Sequence, residues 1–322
     1  LEDHLSTNRF LCGDALTEAD IRLFPTLLRF DAVYYDLFRC RRKYLADHPH
    51  LGAYTRDIYQ GTGPGGAVAE AGVYPDPGGG CPQDGTAVGL ARAGGARHRE
   101  RLTSLGARCG SAEVIDWGVE ANRNIPVLES YDRYGQRIDE VRFHPAYHQL
   151  MRLGLDSGLA SVAWDGTPAG HVAHAAILFL TGQADSGTSC PMTMTYAAVP
   201  ALRADEGVAG EWVPRITAGL YDPASRPAAE KAGVTIGMAM TEKQGGSDVR
   251  ANTTRADPAG EAGWYSLTGH KWFCSAPMCD AFLTLAYAQG GLTCFLVPRW
   301  LPDGTRNAGF RVMRLKDKLG DR

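Results

Sequence analysis

Two short runs carry the residue types that could do chemistry in this chain. The first is the apolar run Ile236 to Met240, which breaks into Thr241-Glu242-Lys243-Gln244-Gly245-Gly246-Ser247-Asp248. A strand ending in a glycine-rich loop lets backbone amides approach a ligand closely, because glycine has no Cβ to obstruct it. The second alternates as a strand through Trp264-Tyr265-Ser266-Leu267 and turns at Thr268-Gly269. It is expected to return as another strand through Lys271-Trp272-Phe273-Cys274-Ser275. Two strand–loop units rich in hydroxyls and aromatics suit a flat aromatic cofactor, whose face the rings cover and whose polar edge the hydroxyls and amides reach. A phosphate loop at Lys243-Gln244-Gly245-Gly246-Ser247 is the competing reading. It fails because that loop needs Gly-Lys-Ser/Thr as its last three residues.

The elements that must hold these runs lie on both sides. Downstream, Phe282 to Tyr287 and Leu292 to Val297 are β-rich and flank Gln289-Gly290-Gly291, so a hairpin is expected there. With the earlier strands it builds a small antiparallel sheet or barrel. The basic run Arg311 to Lys318 reads as a solvated strand edge guarded by charge, in preference to a nucleic-acid contact. Upstream, helical periodicity resumes at His98 to Leu102. The stretch Glu140 to Met151 places Pro145 near a helix start, and His171 to Thr181 is apolar on nearly every side, as a buried helix would be. The pairs His144/His148 and His171/His174 have spacings that put two ligands on one helix face. Neither sits in a His-Glu-x-x-His arrangement and neither has an evident third ligand, so they read as core or surface histidines.

A chain of 322 residues is long enough for about two domains. A net charge of −3 brings no general attraction to nucleic acid or to an anionic membrane. The longest apolar stretch, near Val172 to Leu180, is far shorter than the roughly 20 residues a membrane span needs. The eight cysteines are scattered with no Cys-x-x-Cys pair, which points to reduced thiols in a cytoplasmic protein. Glycine makes up about a third of residues 61–97, against a usual ~7%, and large apolar residues are nearly missing there. Such a segment cannot bury enough surface to offset its ordering entropy, so it reads as a disordered linker. Ahead of it, Thr17 and Asp20 form a helix-start box flanked by Leu16 and Ile21. Phe24, Leu27 and Leu28 continue the apolar face, and Pro25 should kink it. Tyr34 and Tyr35 read as helical core residues rather than pocket lining. The resulting organisation is a helical fragment at 1–60, a linker at 61–97, a helical domain at 98–233 and a β-domain at 234–322.

Two resemblances sharpen this. Met240-Thr241-Glu242, Gly246-Ser247-Asp248 and Gly269-His270-Lys271-Trp272 resemble the flavin-binding pattern of the acyl-CoA dehydrogenases. The variant MTEKQGGSDVRANTT with LTGHKWFCSAPMCDAF is similar to their AidB-like, alkylation-response branch. Upstream, SAEVIDWGVEAN, VLESYDRYGQRIDEVRFHPAYHQLM and SCPMTMTYAAVPAL resemble the N-terminal helical domain of that branch, a likeness that weakens before about Arg108. The resemblance implies an α+β multidomain chain with FAD as cofactor and an acyl-CoA-like substrate oxidised at a CH–CH bond. It places the flavin contacts on Met238, Met240, Thr241, Gly246, Ser247, Trp272, Phe273, Cys274 and Ser275. In the family the catalytic base, much of the FAD adenosine contact and the oligomer interface come from a C-terminal helical domain expected beyond Arg322. The expectation is therefore a truncated, impaired oxidoreductase with no catalytic residue and no metal, and without the DNA binding associated with that C-terminal region.

The wording RFLCGDALTEADIRLFPTLLRFDAVYY, followed by HPHLGAYTRDIYQ, resembles the C-terminal helical domain of the glutathione transferases, nearest the glutathionyl-hydroquinone reductases. The glutathione site of that family lies in an upstream thioredoxin-like domain, so Cys12 and Cys40 receive no catalytic role. The alternatives this leaves are a glutathione-transferase-type protein or an inactive gene-fusion product.

Overall fold

The computed structural model describes residues 1–12, 20, 23, 48–51, 53, 54 and 96–318. It divides into two compact units, Leu1–Thr103 and Ser104–Arg322. The expectations placed on Leu16, Thr17, Ile21, Phe24, Pro25, Leu27, Leu28, Tyr34, Tyr35, Cys40 and nearly all of the 61–97 linker lie outside the described residues.

In the first unit, a short helix α1 (Glu2–Leu5) supplies a cap to a distant helical turn. The Glu2 carboxylate accepts the N–H groups of His50 and Leu51, each at 2.8 Å. These are donors that a helix start leaves without intrahelical partners. Asp20 is fully buried and accepts both the Leu11 N–H and the Tyr54 hydroxyl at 2.8 Å. The sequence reads this carboxylate as a local cap, whereas the bonds described here tie residues nine and thirty-four positions away.

The helical layer comprises α2 (Arg99–Cys109), α3 (Ala112–Arg123), α4 (Pro145–Asp156), α5 (Gly170–Ala184), α6 (Ser189–Leu202) and α7 (Glu206–Ile216). Their starts follow local chemistry. Ser111 caps α3 by accepting from Val114 N, and Asp205 caps α7 by accepting from Val208 N. Pro145 stands in the first turn of α4 and the His144 ring accepts from Ala146 N. Because Pro145 disfavours a helical His144, which is extended, the helix does not run back to Glu140 to Arg142. They belong to β2 (Arg137–Arg142), which pairs antiparallel with β1 (Val127–Tyr131). The α5 helix buries one face only, through Gly170, Ala173, His174, Ile177, Leu180 and Thr181, while Val172 on the other side is 43% exposed. Its composition suggested burial all round, and composition alone cannot say how many neighbours a helix has.

The β-layer holds β3 (Ile236–Ala239), β4 (Arg255–Pro258), β5 (Tyr265–Thr268), β6 (Ala281–Ala288) and β7 (Gly291–Pro298). The sheet is mixed rather than purely antiparallel. β3 and β4 run parallel to β6, while β4–β5 and β6–β7 are antiparallel. The β6–β7 hairpin forms as expected, with Ala288 opposite Gly291 across Gln289-Gly290. The hairpin expected to return through Lys271 to Ser275 does not form, and β5 pairs with β4 instead. Residues Arg311 to Lys318 join no ladder, although Val312 N donates to the Asp139 carboxylate at 3.2 Å.

Helices and sheet share one core. Ala198, Val199 and Leu202 of α6 and Trp212 and Ile216 of α7 pack on Val234, Ile236, Ala281 and Leu283. Fully burying a side chain such as Leu283 or Ile236 contributes about 1.5–3 kcal/mol. The sheet is therefore anchored by its first strand and its central one, the two that lead into the glycine-rich loop and away from the aromatic segment.

Candidate functional site

Alternation along β3 decides which candidate residues face which side. Met238 and Met240 pack against the α6–α7 core, as Ile236 does. Ala239 and Thr241 face an open groove of about 2210 Å³. Gly237 lies on that face too, and it must be glycine: a Cβ there would sit 2.7 Å from the Phe282 ring and 2.7 Å from the Ser275 carbonyl oxygen. The close approach brings Ser275 against the strand, where its N–H donates to Met238 O at 2.9 Å.

The aromatic segment is thereby laid along the exit of β3. Trp272 N donates to Thr241 O at 2.8 Å and Phe273 N shares the same acceptor at 3.4 Å. The Trp272 and Phe273 rings lie 6.2 Å apart and are 45% and 42% exposed, a large apolar surface to leave in water. Lys243 stands 6.0 Å from the Trp272 ring and Lys316 stands 4.7 Å from the Phe273 ring, as cations over aromatic faces do. Thr241, Trp272, Phe273, Cys274 and Ser275 all line the groove, together with Trp264 and Tyr265. Gly246 and Ser247 sit on the exposed loop that follows Thr241. The hydroxyls of Thr241, Ser247 and Ser275 have no hydrogen-bond partner among the described residues. Burial pushes the Cys274 thiol up to about 12, with Arg299 pulling the other way, which disfavours the thiolate form.

Sequence reading did not foresee what holds the loop. Glu242 is 3% exposed, and its carboxylate accepts from Gln244 Nε2 at 2.7 Å, Thr253 N at 2.7 Å, Thr253 Oγ1 at 3.1 Å and Thr254 N at 3.1 Å. The Thr254 hydroxyl and Lys271 Nζ complete the set. Burial pushes this carboxyl up, yet the Lys271 ammonium and the threonine donors outweigh it and hold it well below the usual carboxylate range. Asn252 adds a bond from its Nδ2 to Met240 O at 2.8 Å, and its Oδ1 is pressed against Gly245. The only signal in the sequence was the crowding of Thr, Asn and Gln around Glu242.

The histidine pairs bind hydrogen-bond partners. His148 Nδ1 meets the Tyr221 hydroxyl at 2.8 Å, His171 Nδ1 meets the Tyr196 hydroxyl at 2.7 Å, and His174 Nδ1 meets Leu159 O at 2.7 Å. Among the described residues no group of three or more His, Cys, Asp or Glu could hold a metal ion. No described helix is long and apolar enough to cross a membrane.

A helical layer packed on a mixed sheet, with a hydroxyl- and aromatic-lined groove, defines the class. Residues 237–322 match the acyl-CoA dehydrogenase middle domain and residues 87–223 match the adaptive response protein AidB N-terminal domain. This part of the chain is thus similar to the acyl-CoA dehydrogenase family in two successive domains. Within it the likeness is to the AidB branch: AidB of Escherichia coli K12 is 47% identical over 236 residues, covering 72% of this chain and 43% of that protein. The crystal structure of Caenorhabditis elegans ACDH-11 in complex with C11-CoA superposes with a TM-score of 0.64 at 29% identity, covering 78% of this chain and 43% of that one. The chain thus spans less than half the length of these relatives. Residues 1–57 match the glutathione S-transferase C-terminal domain. The glutathionyl-hydroquinone reductase PcpF of Sphingobium chlorophenolicum is 59% identical over 51 residues, which is 16% of each chain.

Proposed function

We propose that residues 98–322 form the flavin half of an AidB-like acyl-CoA dehydrogenase, binding FAD in the groove and presenting it to an acyl-CoA-like substrate. The observation that carries this reading is the meeting, in one groove, of the groove-lining threonine and serine at 241 and 275 with the exposed rings of Trp272 and Phe273. Those residues fit a flavin. The rings match its flat face, and hydroxyls with no protein partner match its polar edge. The proposed cofactor set is Met238, Met240, Thr241, Gly246, Ser247, Trp272, Phe273, Cys274 and Ser275. Met238 and Met240 would serve through their backbone, since their side chains pack on the core.

When bound, the flavin supplies the hydride acceptor for oxidation of a CH–CH bond. The chain's own residues do the rest. The hydroxyls of Thr241 and Ser275 stand on two segments that the Trp272, Phe273 and Ser275 amides already tie together, so little reorganisation is needed as charge develops at the polar edge. Trp272 and Phe273 exclude water from the covered face. None of the proposed cofactor residues lies in residues 1–57, the stretch that matches the glutathione S-transferase C-terminal domain.

The test is a titration of FAD fluorescence by the purified chain, repeated with Thr241→Val and Ser275→Ala. The expected result is quenching by the parent chain and a dissociation constant raised about tenfold when the two substitutions are combined, some 1.4 kcal/mol. Unquenched FAD with the parent chain would overturn the reading.

A further inference from the structure

Lys271 opens the 271–275 segment, which does not pair with β5 as a strand. It immediately precedes Trp272, and its side chain is 12% exposed. Its Nζ donates to Glu242 Oε1 at 2.8 Å and to Leu285 O at 2.7 Å. Glu242 lies 29 residues away on the glycine-rich loop and Leu285 lies on β6, so one ammonium joins three segments. Through the Thr253 and Thr254 donors the same carboxylate holds the chain just before β4. Glu242 comes directly after Thr241, whose carbonyl takes the amides of Trp272 and Phe273. The ion pair and the two amide bonds therefore clamp the same two short segments from adjacent positions.

We propose that Glu242 and Lys271 are positioning residues that set the placement of the Trp272–Phe273 rings over the ligand groove. The proposal rests on the flavin reading for the identity of the ligand, and on the geometry alone for the placement of the rings. The clamp costs its two partners their hydration, and the backbone and threonine donors repay it, so the carboxylate stays saturated. Removing the ammonium leaves a buried carboxylate short of one partner and frees the 270–274 segment from β6 and the loop together. Such a segment, with two exposed aromatic residues, then has the β5 edge available, where its sequence alternation would place it.

The experiment uses the whole 322-residue chain with its six tryptophans labelled as 5-fluorotryptophan, the Trp272 resonance being assigned by Trp272→Phe. In Lys271→Met the Trp272 fluorine resonance is expected to move toward that of free fluorotryptophan. The resonances of Trp117, Trp164 and Trp212 stay in place, and FAD binding weakens about tenfold or more. Lys271→Arg, which keeps a cation able to reach the carboxylate, is expected to restore both. A Trp272 resonance and FAD affinity that match the parent chain in Lys271→Met would overturn the proposal. If the resonance moves but the parent chain binds no FAD, the positioning role stands and the flavin reading fails. Where Lys271→Met shifts every tryptophan and so has lost the fold, Thr254→Val, which removes one donor from Glu242, is read in its place. A smaller movement of Trp272 supports the clamp and an unmoved one overturns it.

Discussion

The hydroxyl of Thr195, on α6, accepts the backbone N–H of Ile236, the first residue of β3, at 3.0 Å while donating to Pro191 O at 2.7 Å. Both residues are fully buried. The first N–H of the strand that carries the candidate site is thus satisfied by a helix side chain, since no ladder partner reaches it. Thr195→Val keeps the shape and deletes the acceptor, leaving that donor buried and unpaired. The expected loss is about 1–3 kcal/mol of unfolding free energy in a urea titration, with Thr195→Ser losing less. Equal stability of the valine and parent chains would show that the bond contributes nothing.

Lys231 and Asp280 form a second tie between the segment entering β3 and the start of β6. Their charged groups are 2.6 Å apart and their side chains 4% and 8% exposed. Thr235 N donates to the other carboxylate oxygen at 2.8 Å. Removing one member strands a buried charge, so Lys231→Met is expected to cost about 3–5 kcal/mol. The double variant Lys231→Met/Asp280→Leu is expected to lose less than the two single variants combined. Additive losses in the double-mutant cycle would refute the coupling.

Gly237→Ala tests the approach of the 272–275 segment to β3. The new Cβ would meet Ser275 O at 2.7 Å, and a backbone oxygen cannot swing aside as a flexible side chain can. We expect about 1–3 kcal/mol of destabilisation by overpacking and, on the flavin reading, weaker quenching of FAD fluorescence. Alanine tolerated on both measures would mean that the segment shifts at little cost.

Acid should weaken the fold in two stages. Burial lowers the pKa of His148, helped by Arg152, and burial lowers that of His174. A base whose folded pKa is depressed is held neutral by the fold. Its contribution is fully present above the unfolded value of about 6.5 and is lost as pH falls toward the folded value. Melting temperature is therefore expected to drop between about pH 7 and pH 5, and His148→Asn/His174→Asn should flatten that slope. The depressed Glu242 carboxyl adds a later stage: its contribution persists above the ordinary carboxylate value of about 4.3 and fades only in stronger acid. A melting temperature that is flat from pH 7 to pH 5 in the parent chain would rule out the histidine stage.

Much of the candidate site was legible because its signals are local. Ile236 to Asp248 read as strand then glycine loop, and the structure places β3 and its exit there. Gln289-Gly290 read as a hairpin turn, and β6 and β7 pair across it. The proline in the first turn of α4 marked its start. Each of these depends on backbone preferences within a few residues. The hairpin through Lys271 to Ser275 was misread for the same reason, since its alternation is good and the competing partner lies 29 residues upstream.

By itself, then, the amino-acid sequence determined that hydroxyls, glycines and aromatics crowd into two short runs and where most elements begin, because capping, turn chemistry and alternation act over short distances. Only the tertiary structure decided that Met238 and Met240 turn into the core while Thr241 faces the groove, that the sheet is mixed, and that Glu242 is a clamp. Those outcomes depend on which distant groups meet in a dry interior. There a buried carboxylate gathers every donor within reach, and the chain bends to supply them.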